Sequence, residues 1–342
     1  MGRAVTPVER LVVLLREPTG AVALSLTEWT DALTVARAEL LLGTLAHRVD
    51  GLALPAPVAR VLADARVEAE ETRRAALWEA NRVARALRPL RIPAILLKGT
   101  AFVAAGLAAG RGRSIGDCDI LIPRATLPEA EALLAQAGWE WVKSDPYDDH
   151  YYREWMHELP PLIHRERDRM LDVHHTILPP TARPKPDAAA LIARAEKLDG
   201  GLAVLSHPDM IVHAAAHLFA DGDLTGGLRN LWDIHALIEE RGCDGVESQA
   251  ARHDLAKAVA RALRLAHAIY ATPVPPAYRR ATVIDRLYRR RMLARDGWGR
   301  GRHPVTRGAF YLRSHAIRMP LPLLARHLWI KWRKGKAAPA SE

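Results

Sequence analysis

The stretch Asp117-Cys-Asp-Ile-Leu-Ile122 places two acids, one residue apart, at the start of an apolar run. Such a run is typical of a buried strand, and because side chains alternate across a strand, Asp117 and Asp119 share one face. Two carboxylates this close repel each other and are costly to bury. A divalent cation removes that cost, and Mg²⁺ prefers one or two protein carboxylates together with substrate phosphates. The spacing alone leaves a second interpretation open, in which an exposed strand end carries two solvated acids.

Asp172 offers a third carboxylate on another strand-like stretch, Met170-Leu-Asp-Val-His-His-Thr-Ile177. From a neighbouring strand it would complete a two-metal site, which clamps the attacking and leaving oxygens of an in-line displacement. By the same alternation, His174 faces the side of Asp172.

Upstream, Lys98-Gly99-Thr100 lies between a predicted strand, residues 92–97, and a predicted helix, residues 101–109. Glycine allows the backbone to approach a phosphate closely, and a helix start offers free N–H groups to an anion. The residues are not a Walker A loop, because the lysine precedes the glycine.

Four sequence elements follow one another along the chain: Lys98-Gly99-Thr100, Arg113, Asp117-x-Asp119 and Leu-Asp172-Val-His174. In this order they resemble the polymerase-β-type nucleotidyltransferase superfamily, and most closely its bacterial branch described as "nucleotidyltransferase family protein". The resemblance covers roughly residues 88–240. One departure is the turn, which is Gly-Thr here and usually Gly-Gly or Gly-Ser in the superfamily; the hydroxyl is kept.

The resemblance implies Mg²⁺-dependent transfer of a nucleoside monophosphate from an NTP to an unidentified hydroxyl or phosphate acceptor, with release of pyrophosphate. It implies that Asp117 and Asp119 hold two metal ions, and that Asp172 binds the second ion or activates the acceptor. The implied phosphate-binding residues are Lys98, Gly99, Thr100 and Arg113. The candidate substrate contacts are His174, His217, Arg229 and Asp233.

Two other functions stay open from the residues. A metal-dependent hydrolase would use His174, His213, His217 and Asp233, since His213 and His217 are four apart on one predicted helix face. A catalytically inactive nucleotide-binding module would keep the acids without turnover. A serine hydrolase is disfavoured, because Gly112-Arg-Ser-Ile-Gly116 matches G-x-S-x-G in a helix–turn–strand order, not strand–turn–helix.

The predicted fold class is α+β: a small mixed sheet forms a nucleotidyltransferase core, flanked by N-terminal and C-terminal helical regions. The predicted segments are a helical region at 1–88, the core at 89–180, a helical region at 181–275 and a basic tail with an amphipathic helix at 276–342. Within the core, residues 139–142, 151–156, 162–164 and 170–177 are expected to be strands, with a hairpin turn at 166–169. Thr126 to Glu129 has the pattern of a capping box. Core packing is expected for the aromatic residues Trp139, Trp141, Tyr147, Tyr151, Tyr152 and Trp155.

The charge of +10 over 342 residues is unevenly distributed. Residues 279–342 carry 17 Lys and Arg against three Asp and Glu, whereas the other 278 residues are mildly acidic. Nucleic acid is therefore an unlikely substrate, and a basic amphipathic helix at 321–336 is a candidate contact for an anionic membrane surface or an acidic partner.

Two cysteines exclude a disulfide scaffold. Without a membrane span or signal peptide, we expect a cytoplasmic protein that begins near Met1.

Overall fold

We describe the protein from a computed structural model that covers residues 5–143, 145–220, 222–320, 322–326 and 329. The α-helices in these ranges are α1 (Pro7–Arg16), α2 (Leu26–Ala38), α3 (Leu42–Arg48), α4 (Ala56–Ala86), α5 (Lys98–Ala104), α6 (Leu127–Gln136), α7 (Pro146–Trp155), α8 (Ala188–Ala193), α9 (His207–Ala220), α10 (Gly227–Arg241), α11 (Val246–Arg252), α12 (Ala256–Tyr270), α13 (Val283–Met292) and α14 (Pro304–Arg318). The strands are β1 (Ala94–Leu96), β2 (Asp117–Leu121), β3 (Trp139–Trp141), β4 (Leu162–His164), β5 (Met170–His174), β6 (Glu196–Lys197) and β7 (Leu202–Val204).

The strands form one mixed sheet in the order β3-β4-β5-β2-β1-β7-β6. β2 pairs with β5, and β1 with β7, in parallel; the other neighbours are antiparallel. The predicted α+β class, with helical regions on either side of a small mixed sheet, is confirmed. The sheet extends past residue 180, however, since β6 and β7 belong to it. Two and three residues are too short for a periodic pattern, so the sequence did not predict these strands.

The long helix α4 packs against β1, β2 and β7. Ala65, Ala69, Ala76 and Ala80 are buried along it, and side chains this small let the helix axis lie close to its neighbours. Glu79 is also buried, and it accepts two hydrogen bonds from the guanidinium of Arg167 in the turn after β4, at 2.6 and 3.0 Å. This ion pair connects the N-terminal helical region to the turn between β4 and β5.

Residues 151–156 are wrongly predicted as a strand, since they belong to helix α7 and the turn after it. The aromatic side chains that suggest a strand also recur at helical spacing: the rings of Tyr151 and Trp155 are 5.8 Å apart. Arg153 pairs with Asp149 one turn earlier and with Glu131 of α6. The ring contact at helical spacing and the ion pairs of Arg153 therefore outweigh the strand propensity of the aromatic residues. The predicted hairpin turn between β4 and β5 is confirmed.

Two helix ends also differ from the sequence predictions. The capping box is wrong, because Thr126 has helical dihedrals at the end of a 3₁₀ turn and its hydroxyl donates to the carbonyl of Pro123. Helix α5 begins at Lys98 and ends at Ala104, not at 109. It ends there because Gly106 takes a left-handed conformation and the Leu107 N–H closes back on the Phe102 carbonyl.

The basic C-terminal segment is folded as far as the structure describes it. Helix α13 packs on α12 and helix α14 on α9. Part of the positive charge is paired with acids of the helical body: Arg291 with Asp223, and Arg295 with Glu39. Of the predicted amphipathic helix at 321–336, most residues lie outside the described ranges. Within those ranges, no helix is both long and apolar enough to cross a membrane.

Helix α3 meets the glycine-rich turn before β2 backbone to backbone. A methyl group at Gly43 would overlap the carbonyl of Gly112, and one at Gly112 would overlap the backbone of Gly43. Gly112 also has a φ of +65°, which side chains rarely adopt. Gly112, the first glycine of the G-x-S-x-G match, therefore serves helix packing.

We predict that Gly43→Ala destabilises the protein by about 1–3 kcal/mol, because the added methyl forces α3 away from the turn. Helix propensity alone has the opposite sign, since alanine favours a helix by about 1 kcal/mol over glycine. Thermal or urea unfolding measures the difference. The matched control is Gly20→Ala, where a methyl meets nothing within 4 Å; equal stability of both variants would contradict this packing argument.

Candidate active site

Parallel pairing of β2 and β5 brings three carboxylates to one face of the sheet. Asp119 lies directly beside Asp172 in the register, and Asp117 is two residues away on the same face. Oxygens of the three side chains lie within 4.8 Å of one another. Asp117 is exposed, Asp172 is partly buried and Asp119 is 2 % exposed. Cys118 between them is buried on the opposite face, and burial raises the pKa of its thiol.

Asp119 is the most tightly held of the three acids. Its Oδ1 accepts from Lys98 Nζ at 2.6 Å and from His174 Nε2 at 3.1 Å. Burial by itself would raise the pKa of Asp119, but the positive charge of Lys98 and the hydrogen bond from His174 hold it well below its usual range. Lys98 has a φ of +50°, an uncommon conformation for a residue with a side chain. Asp119 Oδ1 thus accepts two hydrogen bonds, and Oδ2 is available to a ligand.

The other two acids are destabilised as anions. Burial, followed by the charges of Glu158 and Asp119, raises the pKa of Asp172 to about 7. Asp117 is exposed at the start of β2, yet partial loss of solvent around its carboxylate and the charge of Asp119 also raise its pKa. Asp172 Oδ1 is buried and has no hydrogen-bond partner among the described residues. A divalent cation relieves each of these costs, so the three carboxylates fit a Mg²⁺ site.

The residues expected to bind phosphate lie around Lys98. Two of them, Thr100 and Gly99, contact other parts of the protein. Thr100 is buried and its hydroxyl donates to the Asp117 carbonyl at 3.3 Å. A methyl at Gly99 would lie 2.5 Å from Arg113 Nε, so this glycine makes room for the guanidinium. Lys98 and Arg113 are both partly exposed and line one small cavity. Each of these two cations is paired with an acid, Lys98 with Asp119 and Arg113 with Asp233, and also borders the cavity that a phosphate could enter.

Arg229 and Asp233 belong to a buried network at that cavity, and Asp233 is one of its lining residues. Asp233 accepts from Arg113 and from Arg229, whose Nη2 lies 2.6 Å away. Arg229 is 3 % exposed and also donates to Thr44 Oγ1 and to the Ala109 carbonyl. Asp233 therefore holds Arg113 in place and Arg229 holds Asp233, while the contact of either residue with a substrate stays a prediction.

His213 and His217 line the same cavity from α9. Burial lowers the pKa of both imidazoles, that of His217 to about 3, so they are neutral at pH 7. Among the described residues, the groups close enough to share a metal contain neither histidine and not Asp233. The structure therefore does not assemble the four ligands of the alternative hydrolase.

Sequence reasoning missed His157 and Glu158. They follow α7, and an isolated bridge sets Glu158 beside His174 at the end of β5. Glu158 Oε2 lies 3.4 Å from His174 Nδ1, and its charge contributes to the raised pKa of Asp172. His157 and Glu158 lie between α7 and β4, outside any regular element, so no helical or strand periodicity points to them. An acid next to a histidine just before Pro160-Pro161 was the available hint.

The aromatic cluster has mixed placement. Trp139 is buried against the His164 ring, whereas Trp141 is 38 % exposed. Tyr151, Tyr152 and Trp155 are partly buried on α7. The side chain of Tyr147 lies outside what the structure describes.

Comparison with known families gives one match. Residues 25–271 match the family described as "Uncharacterised nucleotidyltransferase". No curated protein and no solved structure matches the chain significantly. The matched range contains the sheet, all three acids and helices α2 to α12.

We predict that Mg²⁺ affinity in the absence of nucleotide falls about tenfold per pH unit below pH 7, because a proton competes with the cation for Asp172. Above pH 7, Asp172 is ionised and the affinity levels off. Isothermal titration calorimetry across this range measures the slope. Asp172→Asn removes both the third ligand and the titrating group, so weak binding with a flat profile is expected; a flat profile in the wild type would contradict the assignment.

Proposed function

Since this chain belongs to the uncharacterised nucleotidyltransferase family, we propose that it transfers a nucleoside monophosphate from an NTP to a hydroxyl or phosphate acceptor, with Mg²⁺ as cofactor. The observation that carries the proposal is the trio Asp117, Asp119 and Asp172, set on two parallel strands within metal-ligand distance. Acids that can hold metal ions, with cationic side chains beside them, are suited to stabilising the charge that develops during nucleotidyl transfer.

In the proposed reaction, an acceptor oxygen bonds to the α-phosphorus of the NTP. The bond from that phosphorus to the oxygen bridging to the β-phosphate breaks, and pyrophosphate leaves with the bonding electrons. Mg²⁺ held by the three carboxylates would neutralise phosphate charge and orient the two oxygens in line. Positioning and charge stabilisation supply most of the rate in such a transfer.

The chain's own residues have separate tasks in this proposal. Lys98 exchanges its partner Asp119 for a phosphate oxygen, since its Nζ already lies at the acid trio. Arg113 contributes a second cation to the same cavity and is held in place by Asp233. Asp172 lies beside Asp119 and has one oxygen without a hydrogen-bond partner among the described residues, so it is placed to take the proton of an acceptor hydroxyl.

The acceptor is left open, because no described residue identifies it. We also propose that nucleic acid is not the acceptor and that the basic C-terminal segment contacts an anionic membrane surface or an acidic partner. The four-residue hydrolase set and the inactive binding module are the competing functions. An NTP that stabilises the protein without being consumed would support the binding module.

We predict that Asp117→Asn and Asp119→Asn each lower Mg²⁺-dependent pyrophosphate release from NTP at least about a hundredfold, because each removes a charged ligand from the trio. A pyrophosphate-release assay with each of the four NTPs, together with a thermal-unfolding check of the fold, tests this. Asp64→Asn, an exposed acid on α4, is the control and keeps full activity. Unchanged turnover in both site variants would overturn the assignment.

Replacing Lys98 distinguishes its ion pair with Asp119 from its proposed contact with a phosphate. We predict that Lys98→Met tightens binding of Mg²⁺ alone, since Asp119 loses its competing cation, yet raises the KM for NTP about tenfold through the lost phosphate contact. Calorimetry and steady-state kinetics give the two quantities. Parallel weakening of both would show that Lys98 supports only the fold.

A further inference from the structure

Three side chains meet beside the acid trio without belonging to it: His157, Glu158 and His174. Their ligand atoms lie within 4.8 Å of one another. We propose that these three residues form a second metal site, selective for a transition ion such as Zn²⁺. Two imidazoles and one carboxylate are a zinc donor set with a fourth position left open. Mg²⁺ prefers a shell of oxygens, so the two sites differ in chemistry.

The spacing of the donor atoms agrees with that assignment. Glu158 Oε2 lies 3.4 Å from His174 Nδ1 and 3.7 Å from His157 Nε2. Ligands about 2.0–2.1 Å from a tetrahedral zinc ion are separated by about 3.4 Å. The three groups therefore need only small side-chain adjustments to close on an ion.

The backbone fixes the ligands in this arrangement. The His175 N–H donates to the His157 carbonyl at 2.8 Å, and the Leu159 N–H donates to the Val173 carbonyl at 2.9 Å. These two bonds hold the segment around Glu158 against the end of β5. Both sides of the site are thus set by strand-like pairing before any ion arrives.

The buried imidazole of His174 has an unsatisfied nitrogen that a metal would satisfy. His174 is 2 % exposed, and its Nδ1 makes no hydrogen bond within the described structure although Glu158 is near. Its other nitrogen, Nε2, donates to Asp119 Oδ1. A histidine that binds metal through one nitrogen commonly donates the other to a carboxylate, which fixes the ring. Asp119 plays that part here.

This arrangement links the two sites through one hydrogen bond. An ion on His174 Nδ1 would fix the Nε2–H on Asp119 and thereby hold Asp119 Oδ1 in place beside Lys98. The proposed zinc is therefore a positioning ion. It is distinct from the catalytic cations, since neither Asp117 nor Asp172 is among its ligands.

The test is calorimetric titration of the metal-free full-length protein with Zn²⁺ in the presence of excess Mg²⁺, with metal content measured after dialysis. We expect one Zn²⁺ per chain. His157→Ala and Glu158→Gln should each weaken binding about a hundredfold or more, since each removes a ligand. His47→Ala, an exposed histidine of α3, is the control, and Asp117→Asn should also retain the zinc.

The proposal is overturned if no zinc binds, if His157→Ala and Glu158→Gln bind as the wild type does, or if Asp117→Asn abolishes binding and so places the ion on the acid trio. If His157→Ala does not fold, the visible spectrum of the Co²⁺-loaded wild type against Glu158→Gln decides. A four-coordinate spectrum that the variant loses supports the site, and an unchanged spectrum overturns it. None of these readouts needs turnover, so they stand apart from the test of nucleotidyl transfer.

Discussion

The repulsion among three carboxylates on β2 and β5 is the constraint on which the site depends. Parallel pairing sets Asp119 beside Asp172, and burial makes it costly for all three to be charged together. Without a cation, the protein offsets this cost with Lys98 and His174 on one oxygen of Asp119. Asp172 is left with an unpartnered oxygen and a pKa of about 7. The face of the sheet is thus prepared for a divalent cation.

The surrounding helices serve that face. Gly99 leaves room for Arg113, and Asp233 holds the guanidinium of Arg113. Arg229 in turn joins Asp233 to Thr44 of α3, in the N-terminal helical region. This chain of buried contacts runs from α3 through α10 to the cavity beside Lys98. In this arrangement the buried residues Arg229 and Asp233 orient the guanidinium of Arg113 at the cavity.

Much of the site could be predicted from the sequence because alternation along a strand is a strict rule. It put Asp117 with Asp119, and Asp172 with His174, on shared faces, and it turned Cys118 inward. It could not show that His174 donates to Asp119, since contact between strands depends on the register. Glu158 was missed for a related reason: it reaches β5 through an isolated bridge after a helix.

The fold class was likewise predictable, and its details were not. The apolar runs of β1, β2 and β5 stand out, but β6 and β7 are too short to give a pattern. Helix α7 contains residues that favour strands, but Arg153 pairs with Asp149 inside the helix and with Glu131 of α6, which supports the helical conformation. The conformation of β6 and β7 is set by pairing in the sheet, and that of α7 is supported by an ion pair with a residue distant in sequence.

The central claim is that the three acids together hold the cations that carry an NTP. Anomalous diffraction from a crystal soaked with Mn²⁺ and a non-hydrolysable NTP analogue tests it most directly. We predict a manganese peak about 2.0–2.3 Å from oxygens of Asp117, Asp119 and Asp172, with the triphosphate on the side of Lys98. A bound analogue with no manganese at these carboxylates would contradict the account.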